Sequence, residues 1–143
     1  MKVFVSYSHQ QLDWVRGRLV PILEAGGAKV LVDYKLFELG RTVMGQMDTT
    51  QDQADRHILV LSQEYHASAM CQHEMERAIE NDPTFNHGVV LAIQRDHEPV
   101  PAVLRPALYA NLSNDSLSIP WGLVLHACGA TLVPYVVDFG VDL

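Results

Sequence analysis

The residues best suited to chemistry lie in one segment, Ser68 to Glu80, which holds Cys71, His73 and Glu74 in close succession. Read at about 100° per residue, Cys71, Met75, Ala78 and Ile79 form one apolar helical stripe. Glu74 falls on the border of that stripe beside Met70, whereas His73, Glu76, Arg77 and Glu80 point the other way. A carboxylate at the edge of a buried stripe is either a long side chain reaching out to water or an acid held in a cleft for chemistry. The helix alone leaves both readings open.

Other constellations are weaker. Seven histidines raise the question of a metal. His66, Cys71 and His73 are near neighbours, but positions 71 and 73 face different sides of a helix, so no ligand cluster is expected. No glycine-rich phosphate loop of the P-loop or dinucleotide type occurs, and Gly26-Gly27 follows a helix rather than a strand. Ser6 and Ser8 lack the tight turn that surrounds a hydrolase nucleophile. Trp14 and Trp121 fall at helix starts and read as packing residues.

The elements that must position Glu74 alternate. Val3-Phe4-Val5-Ser6 is a short apolar strand that ends in the polar turn Tyr7-Ser8-His9. Leu12, Val15, Leu19, Ile22 and Leu23 repeat at helical spacing up to Gly26-Gly27, with Pro21 predicting a kink or an early end. Val30 to Asp33 is a second strand, and Tyr34 to Thr42, with Gly40 beside Arg41, reads as a surface loop before a weak, polar helix through Ala54. Ile58 to Ser62 is a third strand, joined by a loop from Ser62 to Met70 to the helix that holds Glu74 and stops before Asn81-Asp82-Pro83. Val89 to Ile93 is a fourth strand, Leu108 to Leu112 a fifth, and Pro120-Trp121 opens a last helix through Cys128.

Apolar strands bounded by helices predict an α/β fold: a five-stranded parallel sheet with helices on both faces, a flavodoxin-like three-layer sandwich. Ligands of such sheets bind beyond the carboxyl ends of the strands, where the loops after the first three strands meet and where Glu74 can face.

The order Phe4-Val5-Ser6-Tyr7-Ser8, Asp33 with Gly40, Leu59-Val60-Leu61-Ser62 and Ser68 to Glu74 resembles a TIR (Toll/interleukin-1 receptor) domain over nearly the whole chain, and Pro101-Ala102-Val103-Leu104-Arg105 fits the same pattern. The resemblance, which extends to bacterial NAD-cleaving members, implies that Glu74 is catalytic, with Cys71 three positions before it and Met70 where the family's tryptophan is usual. It implies cleavage of the nicotinamide–ribose bond of NAD+, giving nicotinamide and ADP-ribose or a cyclic ADP-ribose, in immune signalling such as bacterial antiphage defence or in NAD+ depletion. NAD+ is then substrate and no cofactor is expected. One carboxylate suffices in principle: nicotinamide leaves as a neutral base without a general acid, and an anion stabilises the oxocarbenium character of the ribose.

By the same resemblance Tyr7, Ser8 and His9 line the ribose and phosphate side. Asp33 to Arg41 corresponds to the family's BB loop, which covers the nucleotide and contacts neighbouring TIR domains. Asp33, Phe37, Gly40, Arg41, Met70 and Cys71 are therefore candidate substrate-binding residues, and Tyr34, Phe37, Leu39 and Gly40 candidates for self-association. Thr42-Val43 stands where active members often carry an aromatic residue. A thioether at Met70 can still contact a ring. The alternative reading is a non-catalytic interaction module that assembles with other TIR domains.

Bulk composition bounds these readings. A chain of 143 residues with 48% hydrophobic and 19% charged residues is the size of one domain with a substantial core. We expect the domain to span 1–130, with 131–143 an apolar tail that either leads to further chain or packs back on the domain. No run of 18 apolar residues is present and the N-terminal apolar run is too short for a signal peptide, so the reading is a cytoplasmic protein without a membrane partner. Cys71 and Cys128 read as two buried thiols rather than a disulfide. A formal charge of −7 without a basic stripe disfavours nucleic acid.

Overall fold

The computed structural model describes residues 1–133. Its strands are β1 (Lys2–Tyr7), β2 (Lys29–Leu31), β3 (Arg56–Leu61), β4 (Val90–Gln94) and β5 (Ala110–Asn111), in the order β2-β1-β3-β4-β5. Every pairing is parallel, with Val5 opposite Ile58 and Leu59 opposite Ala92. This is the flavodoxin-like α/β sheet expected from the strand and helix alternation. Its helices are α1 (Leu12–Trp14), α2 (Val20–Ala25), α3 (Asp33–Leu36), α4 (Val43–Asp52), α5 (Gln63–Ala67), α6 (Ala69–Asn81) and α7 (Ser118–Ala127).

Strand alternation sends the two faces of β1 to different neighbours. Val3, Val5 and Tyr7 join Val15, Leu19, Leu23, Trp121 and Leu125 in one core, while Leu59 and Leu61 pack with Tyr65, Cys71, Met75 and Ala78 in the other. The second face also holds the buried polar residues Ser6 and His57. Trp14 and Trp121 stack with ring centroids 5.9 Å apart. Their indole N–H groups donate to Asp115, at 2.8 Å each.

Four expectations are corrected. Pro21 does not end the helix early; the departure from a straight α-helix takes the form of a π-helical turn over Val15–Leu19 just before it, with the proline in the first turn of α2. The segment after β2 begins with α3, not a loop, and the Asp33 carboxylate accepts from Tyr34 N at 2.8 Å. The segment after β3 holds α5, whose N-cap Ser62 accepts from Tyr65 N at 3.1 Å. The fifth strand shrinks from Leu108–Leu112 to Ala110–Asn111, a short edge that offers little for another chain to pair with.

Both cysteines are free and buried. No helix among the described residues is long and apolar enough to cross a membrane. Of the expected tail, Thr131 N donates to Gly26 O at 2.9 Å and Leu132 packs on the first core, whereas 134–143 lie outside the described residues. A Cβ at Gly26 would run into the main chain of Thr131, which has no flexible end to move aside. Gly26→Ala should therefore destabilise the domain by about 2 kcal/mol, read as a lowered urea midpoint. An unchanged midpoint would mean that Thr131 is not held there.

Candidate functional site

Helix α6 begins because Ser68 caps it, its hydroxyl accepting from Cys71 N at 3.2 Å. That cap sets the helical phase, which turns Cys71, Glu74, Met75 and Ala78 inward. Glu74 is not at the edge of the stripe but inside it, with 6% of its surface exposed. What moves the border is α4, which lies alongside and half-buries His73 and Arg77 as well.

Glu74 faces a cleft of about 340 Å³ beyond the carboxyl end of β1. The cleft gathers Tyr7, Ser8, His9, Asp33, Phe37, Met70 and Cys71, all of them candidates from sequence. Sequence reasoning missed Phe4, Val5, Val43, Met47 and Ser68, which also line it. Val43 and Met47 carried a signal, an apolar pair four apart on a helix that is polar from Asp48 onward. Gly40 and Arg41 are not in this lining. Arg41 lies on a second hollow with Glu38 and Gln46, and its Nε is 3.4 Å from the Glu38 carboxylate.

Asp33 organises the mouth of the cleft. Tyr7 Oη donates to its Oδ1 at 2.6 Å, and His9 Nε2 lies 2.9 Å from its Oδ2. Burial, then the hydrogen bond to Asp33, push the Tyr7 phenol above its ordinary value, so it remains a donor at any physiological pH. Below the cleft Ser6 Oγ and Tyr65 Oη are 2.8 Å apart and buried.

The electrostatics of Glu74 follow from this setting. Burial raises its pKa from 4.5 to about 8, the Ser6 hydroxyl opposes the rise by hydrogen bonding, and the negative charges of Asp33 and Asp48 add to it. Burial also pushes the Cys71 thiol up to about 11, so it is no thiolate nucleophile at neutral pH. Among the described residues no group of three or more His, Cys, Asp or Glu is placed to hold a metal ion. The cleft joins apolar walls to acidic groups and can attract a cationic or hydroxyl-rich ligand.

The family described as TIR domain matches residues 3–119. Human (Homo sapiens) Toll-like receptor 1 is 29% identical over 111 residues, which is 78% of this chain and 14% of the receptor. Toll-like receptor 6 of Bos taurus is 27% identical over 109 residues, 76% of this chain and 14% of the receptor. The chain thus spans about 14% of the length of the receptors it matches. Among solved structures, the TIR domain of the Toll-related receptor TRR-2 from Hydra magnipapillata superposes with a TM-score of 0.78 at 18% identity, covering 89% of this chain and 97% of that one. A prokaryotic SEFIR domain gives 0.62 at 14% identity, with the same coverage. At these identities the two structures speak to the fold alone.

The raised Glu74 value has a consequence for stability. A carboxyl that ionises near 4.5 when unfolded but near 8 when folded costs stability as pH climbs between those values, and the full cost is present above 8. Glu74→Gln removes that cost. It should be close to neutral at pH 5 and stabilising at pH 9, with a ceiling of about 5 kcal/mol, in urea unfolding followed at both pH values. Equal effects at the two pH values would place the carboxylate in water.

Proposed function

The chain belongs to the TIR domain family, and on that premise we propose that it acts as a TIR signalling module that assembles with other TIR domains through the segment from Tyr34 to Met44. The observation behind this is the apolar surface of that segment: Leu39 is fully exposed, and Tyr34, Leu36, Val43 and Met44 are all exposed beside it. Exposed apolar groups concentrated in one short segment mark an interaction surface. The segment is also pre-ordered. Gln46 Oε1 accepts from Glu38 N at 2.6 Å, its Nε2 donates to Glu38 O at 3.2 Å, and Thr42 Oγ1 accepts from Gly45 N at 3.2 Å. A loop held in shape loses less entropy on docking. The likeness to Toll-like receptors supports an immune signalling role for this assembly.

A second reading is favoured by one specific observation, the buried carboxyl at the base of the cleft. In it Glu74 cleaves NAD+ between nicotinamide and ribose. The cationic nicotinamide ring would enter among Met70, Phe37 and Met47 and draw the neutral carboxyl toward its charged form. As the bond to nicotinamide lengthens, positive charge moves onto the ribose, and the Glu74 carboxylate stabilises it. Nicotinamide departs neutral, and water or a group of the ADP-ribose itself completes the substitution. Tyr7 and His9, held by Asp33, would take ribose hydroxyl or phosphate oxygens.

The two readings separate by substitution. Leu39→Glu should weaken self-association about tenfold in sedimentation velocity, about 1.4 kcal/mol, and an unaltered association constant would remove the segment from the interface. Glu74→Ala should leave association intact and abolish nicotinamide release measured by mass spectrometry. Release that persists in Glu74→Ala would end the catalytic reading of this residue, and its absence from the parent chain at every protein concentration would leave the assembly reading alone.

A further inference from the structure

Helices α4 and α6 meet through polar atoms at a place where two helices on one sheet face ordinarily meet through apolar side chains. Gln51, in the last turn of α4, is fully buried, and both ends of its amide are engaged. Nε2 donates to the main-chain carbonyl of Glu74 at 2.7 Å and lies 3.4 Å from His57 Nδ1. Oε1 accepts from Arg77 Nε at 3.2 Å. The carbonyl can only accept and the guanidinium can only donate, so the amide has one orientation.

Beyond Gln51 the contact continues. Arg77 also pairs with Asp48 and Asp52, and His73 Nε2 is 3.0 Å from Asp48 Oδ1. The Glu74 carbonyl lies inside α6, where helical hydrogen bonding already satisfies it. Gln51 is therefore not needed to rescue an orphaned group, yet the chain buries an amide to reach it. Helix α4 starts at the projecting segment, and its Val43 and Met47 form one wall of the cleft that Glu74 faces.

We propose that Gln51 is a positioning residue for Glu74: it ties the turn of α6 that holds the carboxyl to α4, so that the placement of α4 and of the segment before it sets how deeply Glu74 sits in the cleft. The groups that act on the Glu74 carboxyl are Ser6 on β1, by hydrogen bonding, and, through charge, Asp33 after β2 and Asp48 on α4, with Tyr7, Tyr65 and Cys71 coupled to it in turn. Gln51 touches the main chain and not the carboxyl, so its effect on that carboxyl is one of placement. The consequence for turnover rests on the NAD+ reading; the placement itself does not.

The test is a carbon-13 NMR titration of the Glu74 carboxyl in the parent, Gln51→Met and Arg77→Met, alongside nicotinamide release. Gln51→Met keeps the volume and removes every bond of the amide, whereas Arg77→Met leaves the bond to the Glu74 carbonyl in place. The expected result is a Glu74 midpoint lowered by about one unit in Gln51→Met, as the carboxyl gains water, and held within about 0.3 unit in Arg77→Met. Turnover should fall about tenfold in kcat with KM within about twofold, the signature of a misplaced reacting group. A midpoint unmoved in a cooperatively folding Gln51→Met, or moved equally by Arg77→Met, overturns the proposal. Should Gln51→Met not fold cooperatively, Gln51→Asn, too short to reach the carbonyl, is read by the same criteria. A parent chain that releases no nicotinamide would sink the NAD+ reading while the titration still decides the role of Gln51.

Discussion

The structure is organised around the burial of one carboxyl on an otherwise apolar sheet face. Glu74 is 6% exposed, and the charges acting on it, those of Asp33 and Asp48, are of its own sign. An ionised group in that position loses its water without gaining a counter-ion, so the domain holds it in its neutral form up to about pH 8. Selection for stability alone would place a leucine or methionine at position 74. A carboxyl there, beside a cleft, is a cost to the fold that its surroundings offset only in part.

The surroundings show how. On a face where Leu59 and Leu61 supply apolar packing, β1 presents Ser6, whose hydroxyl hydrogen-bonds toward the carboxyl, and Tyr65 backs it at 2.8 Å. Helix α4 brings the fully buried Gln51 alongside the buried Met47. The opposite face handles its polar groups differently, gathering them around an aromatic stack. There Trp14 and Trp121 stack, the Arg95 guanidinium lies 4.6 Å from the Trp14 ring centroid, and Asp115 receives both indoles and Arg18.

Much of this was legible in the sequence. Ile58 to Leu61 and Val90 to Ile93 are near-continuous apolar runs, as strands buried on both faces must be, and the helical spacing of Leu12 to Leu23 and of Cys71 to Ile79 fixed the layers. Glu74 and the cleft residues Tyr7, Ser8, His9, Asp33, Phe37, Met70 and Cys71 come together because strand ends and helix starts converge at one edge of such a sheet. The depth of Glu74 was not legible. It depends on α4, whose Asp48, Gln51 and Asp52 read as a solvated polar face until the partners Arg77, His73 and the Glu74 carbonyl are seen. The helices α3 and α5 were missed because four or five residues are too few to display a period. Arg41 was named through the resemblance of its loop to the family's BB loop; after Gly40, with φ at +87°, its guanidinium lies beside Glu38.

The two proposed roles share a structural element. The apolar surface suited to another TIR domain lies on the segment that runs into α4, and α4 supplies both a wall of the cleft and the bonds that hold the Glu74 turn. A neighbour that seats Leu39 cannot leave α4 wholly indifferent, since the Gln46 side chain, one turn into α4, clamps the main chain of Glu38 and Arg41. Docking energy and cleft geometry are then two readings of one helix position. On the proposed assembly, the apolar surface offered to a partner and the buried carboxyl in the cleft are joined by the ten residues of α4.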